Sequence, residues 1–139
     1  MLADESDSAS IFNFEAKITD VSFSGEPNIY TISTTISSPD TGCDQYADWW
    51  EILDLEGNLI YRRILTHSHV EEQPFTRSGN NITLASSTEV YIRVHMNTTG
   101  YSSAVQKGTI ETGFSAAELS ATFANDLENQ QPLPTGRAF

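Results

Sequence analysis

The chain has 139 residues, 38% of them hydrophobic, and a formal net charge of −12, with a pI near 4.3. That length suits one domain able to bury a core without disulfide or metal staples. Seven basic against nineteen acidic residues exclude the phosphate backbone of a nucleic acid, and an anionic membrane, as a partner. Apolar runs are only a few residues long, so no transmembrane helix is expected. The one cysteine, Cys43, allows no internal disulfide and reads as an ordinary thiol in a loop.

In chain order, residues 1–10, MLADESDSAS, lack the basic and apolar regions of a signal peptide and read as a flexible acidic leader. The main domain is expected over residues 11–128. Phe12, Phe14, Ala16 and Ile18 alternate, and the phase then shifts to Val21 and Phe23, which predicts a bulge near Thr19-Asp20. After the turn SGEPN, Tyr30, Ile32, Thr34 and Ile36 form one face of a strand, ended by SPDTG. The run DWWEILDLEGNLIYRRILTHSH places two β-prone arms around Leu55-Glu56-Gly57-Asn58, a hairpin.

Gln73-Pro74 and Ser78-Gly79-Asn80 then read as breaks, with a short strand at 82–85. In EVYIRVHMN, Val90, Ile92, Val94 and Met96 face one side while Tyr91, Arg93 and His95 face the other. Thr98 to Tyr101 turns, and Val105 to Phe114 is expected as the last strand. Residues 115–128, SAAELSATFANDLE, carry a capping-box spacing from Ser115 to Glu118 and a Leu119, Phe123, Leu127 stripe, so a short C-terminal helix is expected. Residues 129–139 read as an irregular tail.

About seven short strands with Gly, Pro and Asn punctuation predict a mainly β chain, a single antiparallel β-sandwich. The stretch YIRVHMNTTGYSSAV, residues 91–105, resembles the F strand and F–G loop of fibronectin type III and immunoglobulin-like domains. Tyr91 heads the strand, Asn97 follows it, and Gly100 begins the turn. A second stretch, DWWEILDLEGNLIYRRILTHSHVEEQPFTRSG, resembles a block from an uncharacterised family of exported bacterial proteins, which implies an extracytoplasmic location and no particular chemistry. The immunoglobulin-like resemblance also implies a shared loop pole for Cys43, the His67/His69 pair, and His95 with residues 97–101.

His67 and His69 are spaced i, i+2, which in an extended strand puts both rings on one face roughly 7 Å apart. With a third ligand they would make a metal site; His95 completes the candidate set, with Cys43, Glu71 and Glu72 nearby. A blue-copper site fails on order, because Cys43 precedes every histidine and Met96 directly follows His95. Ser68 lies on the opposite strand face from both histidine neighbours, and there is no G-x-S-x-G elbow or phosphate loop. Trp49 and Trp50 point to opposite faces. The outward one, near Tyr46, is a candidate stacking surface for a protein or carbohydrate ligand, with Asn97 and Tyr101 as further ligand-binding candidates. Arg62, Arg63, Arg77 and Arg93 are expected to form ion pairs. No cofactor is specified. The expected function is a non-enzymatic exported accessory or binding module; the alternative is a metal-binding protein or metal-dependent enzyme built on His67, His69 and His95.

Overall fold

The computed structural model describes residues 15–135; the acidic leader, Phe12 and Phe14 of the first alternating run, and residues 136–139 lie outside that range. Within it the chain is mainly β: β1 (Lys17–Glu26), β2 (Ile29–Ser37), β3 (Ala47–Asp54), β4 (Leu59–Ile64), β5 (Phe75–Ile82), β6 (Val90–Met96), β7 (Gly100–Tyr101), β8 (Ala104–Thr109) and β9 (Gly113–Glu118). They join in one sheet of order β4-β3-β6-β8-β1-β2-β5, with β7 added to β6 and β9 to β8. The pairings are antiparallel except where Lys17 in β1 meets Ala104 in β8.

This path curls until its ends approach. Arg63 on β4 donates from Nε to the carbonyl of Ser78 on β5 at 2.8 Å, and Tyr61 lies over Gly79. A Cβ at Gly79 would run into that ring, so a larger residue there forces Tyr61 to move. The result is a nearly closed, barrel-like sheet.

The alternating patterns carry through. The phase shift in β1 is a register irregularity between Ile18 and Asp20. The hairpin of β3 and β4 turns at Gly57, φ 95°. Its loop is held by the Asp54 carboxylate, which accepts from the backbone amides of Glu56 and Asn58 and from the Asn58 side chain. These contacts, led by the Asn58 amide, hold the Asp54 carboxyl below its ordinary value. In β6, Val90, Ile92, Val94 and Met96 enter the main core with Trp50, Ile32, Ile36, Phe75 and Ile52.

Four expectations are corrected. The C-terminal helix over 115–128 does not form: Gly113–Glu118 is β9, and only a 3-10 turn, Asn125–Asn129, follows. Backbone pairing with β8, from Thr109↔Gly113 to Ala104↔Glu118, overrides the local capping signal. The expected last strand, Val105 to Phe114, is therefore two strands around a turn. Ser78-Gly79-Asn80 does not break the chain but lies inside β5, where the ladder with β2 changes register. The expected strand at 82–85 reduces to the last residue of β5.

Candidate functional site

Two places in the fold concentrate polar side chains, and they are built in opposite ways. The first lies on the face of β3, β4 and β6 turned away from the main core. In register, Glu51 stands opposite Arg62 on one neighbour and Arg93 on the other. All three are buried. Glu51 Oε1 accepts from Arg62 Nε at 2.8 Å, Arg62 Nη2 at 2.6 Å and Trp49 Nε1 at 2.9 Å, and Oε2 accepts from Arg93 Nε at 2.9 Å.

Both guanidinium groups also donate to backbone carbonyls of the C-terminal segment. Arg62 donates to Leu127, Gln130 and Pro132; Arg93 donates to Phe123 and Ala124. That segment is thereby strapped across the sheet, and Leu127, Phe123 and Leu133 complete a second apolar cluster with Trp49, Leu53 and Tyr101. The Arg62 guanidinium lies 4.2 Å from the Trp49 ring centre and that of Arg93 lies 3.4 Å from the Tyr101 ring centre. Burial, and then the Glu51 carboxylate, push the Tyr101 hydroxyl well above its ordinary pKa.

His95 belongs to this face. Its ring stacks on Trp49 at 3.8 Å, Nδ1 meets Asp48 Oδ1 at 2.7 Å, and Nε2 meets Glu128 Oε2 at 2.9 Å. Both nitrogens are engaged by carboxylates, so neither is open to a metal.

The second place is the loop pole. Asp40, buried in the loop after β2, ties that end together. Its Oδ1 accepts from Ser38 Oγ at 2.7 Å and from the Ala47 amide at 3.1 Å, and its Oδ2 accepts from the His69 amide at 2.8 Å. Gln73 bridges the Ser38 amide and the His69 carbonyl. Asn97 accepts from the Tyr46 amide and donates to the Asp44 carbonyl. The loops bearing Cys43, His67/His69 and Asn97 are thus cross-tied at one end of the sheet. The His67 and His69 rings lie 4.5 Å apart between centres, tilted by 37°. Burial, reinforced by the positive charge of Arg77, holds the His69 pKa below its ordinary value.

The sequence candidates therefore separate. The three-histidine metal centre is not assembled, because His95 is committed to Asp48 and Glu128 on the strap face. Among the described residues no group of three or more His, Cys, Asp or Glu is arranged to hold a metal ion. Trp49 and Trp50 do point to opposite faces, but both are buried, at 3% and 0% exposure, so neither ring presents an open stacking surface. Tyr101 is buried against Glu51 and Arg93 as well, while Asn97 is exposed at the pole. Among the arginines, Arg62 and Arg93 share Glu51, Arg77 meets Glu72 at 3.2 Å, and Arg63 binds backbone carbonyls instead. Glu51, Asp40, Asp48 and Gln73 escaped sequence reasoning. Only Glu51 left a signal there, as a charge inside the apolar run WWEIL.

Over 116 residues the chain is 34% identical to a Halomicrobium mukohataei protein named "Putative lipoprotein"; the match covers 83% of this chain and 57% of that protein. The chain thus spans just over half the length of that relative. No protein-family model matches the chain, and no solved structure matches it.

Proposed function

We propose that this chain is a non-enzymatic accessory or binding module acting outside the cytoplasm, with an immunoglobulin-like arrangement whose loop pole meets a protein partner. The strand order supports that arrangement: β4-β3-β6-β8 and β1-β2-β5 follow one another, paired at Lys17 and Ala104 on one side and approaching through β4 and β5 on the other. The name of the relative supports the location, since a lipid-anchored protein works at a membrane surface.

The observation that carries the binding reading is the cross-tied pole. Asp40, Gln73 and Asn97 fix three loops to one another, so exposed residues there, His67, Val70, Glu71 and Glu72, are presented on a rigid support. Val70 is 50% exposed, a large apolar side chain set among acids. A protein partner fits better than a carbohydrate, because Trp49, Trp50 and Tyr101, which could stack on a sugar, are covered.

The test is site-specific photocrosslinking in the native host. A photoreactive residue at Val70 is expected to capture a defined protein in the envelope fraction. The same residue at Ile29, exposed at the opposite end of β2, is expected to capture none. A protein confined to the cytoplasm, or equal capture from both positions, would overturn the reading.

A further inference from the structure

We propose that His67 and His69 together chelate a divalent transition ion of the zinc or copper type at the loop pole, with water filling the remaining coordination positions. The argument starts from an anomaly. The His69 side chain is 2% exposed, yet neither of its ring nitrogens has a hydrogen-bond partner. Buried polar atoms are nearly always satisfied, and one left unmet costs free energy without return. The ring is held in place by Phe75, stacked at 3.8 Å and 7°, and on its other side by His67. It is a positioned imidazole with an unused lone pair.

The second imidazole is prepared in the same way. His67 Nδ1 lies 2.9 Å from the Ser68 carbonyl oxygen, which only accepts. The proton therefore sits on Nδ1, and Nε2 keeps the lone pair. In His69, Nδ1 lies 3.9 Å from Asp40 Oδ2, too far for a hydrogen bond, so both ring nitrogens stay unengaged. A ligating histidine characteristically turns one nitrogen toward a carbonyl or carboxylate and binds the metal through the other. His67 has that arrangement, and the adjoining His69 ring offers an unengaged nitrogen beside it. His67 is exposed, which opens the pair to water and ions, and the net charge of −12 draws cations to the surface.

Imidazole donors select zinc or copper over magnesium and calcium, which prefer oxygen. Two protein ligands make a solvent-completed site, in keeping with the lack of a three-ligand group among the described residues. This inference does not depend on the partner reading above, and the two fail separately: one by ion titration, the other by crosslinking.

The experiment uses the full chain stripped with a chelator and titrated with zinc or copper, with magnesium and calcium as controls. At a hundredfold excess over Kd, zinc or copper should raise Tm by about 5–10 °C, and magnesium and calcium should leave it unchanged. His67→Ala, an exposed substitution that leaves the fold intact, should lower affinity by about tenfold or more. In the unaltered protein, substoichiometric copper should broaden the NMR ring signals of His67 and His69 and spare those of His95. No ion response, an undiminished response in His67→Ala, or broadening centred on His95 would each overturn the proposal.

Discussion

The strap face and the loop pole each bury charged or titratable side chains, but they treat them differently. Around Glu51 the hydrogen bonds are closed: the carboxylate is met by Arg62, Arg93, Trp49 and Tyr101, and the arginines also donate to five backbone carbonyls. At His69 both nitrogens are left open. A saturated polar cluster holds structure; an unsaturated one is free for a ligand. The contrast gives the chain's strongest electrostatic feature to holding the strap, and leaves the open His69 nitrogens as the place where the proposed ion would bind.

The comparison breaks most visibly at Glu51. Glu51→Gln leaves two buried guanidinium groups without a counter-charge and should cost about 3–5 kcal/mol in urea denaturation. It should also speed proteolysis within residues 120–135 as the strap loses its anchors. A cost under about 1 kcal/mol would show that the cluster is not what holds the strap. Next in size, Gly79→Ala should cost about 1–3 kcal/mol by driving a methyl group into the Tyr61 ring. In a double-mutant cycle with Tyr61→Ala most of that cost should vanish; full additivity would mean that the edges of β4 and β5 do not meet through this pair.

A smaller effect appears in alkaline solution. Tyr101 is held protonated in the folded chain to a pH well above the ordinary value of 10.0, and burial moves Tyr61 in the same direction. Above pH 10 the folded state therefore binds more protons than the unfolded one, so stability should fall as pH rises through that range. Tyr101→Phe should flatten the decline in denaturant melts between pH 9 and 11; an unchanged slope would place the titration elsewhere. The smallest change is expected at the pole. His69→Leu, which removes two unsatisfied nitrogens, should alter the metal-free stability by less than about 1 kcal/mol. A loss of several kcal/mol would make His69 a structural residue and erase the contrast.

Much of the fold was legible because alternation along a strand needs only one buried face. Tyr30 to Ile36 and Val90 to Met96 were read from their own residues, as were the hairpin at Gly57 and the bulge near Asp20. The C-terminal segment was misread for a physical reason. Leu119, Phe123 and Leu127 have helical spacing, but β9 pairs with β8, and arginines 30 to 70 residues earlier in the chain claim the carbonyls that follow. Local propensity lost to long-range hydrogen bonding. The break expected at Ser78-Gly79-Asn80 failed likewise, because the use of Gly79 depends on Tyr61.

The candidate site divides along the same line. The sequence named His67 and His69 as a pair from their i, i+2 spacing on an expected strand, but β4 ends at Ile64, and the two rings meet in the loop that follows, 4.5 Å between centres. His95 could be assigned only in three dimensions, where Asp48 and Glu128 take both its nitrogens. By itself the sequence determined the β class, the acidic surface, the paired histidines and the inward faces of the strands, because each follows from composition or from spacing within a few residues. The tertiary structure alone decided the strap, the closure of the sheet, and which buried polar atoms are satisfied, because hydrogen bonds and burial depend on residues that meet only when the chain is folded.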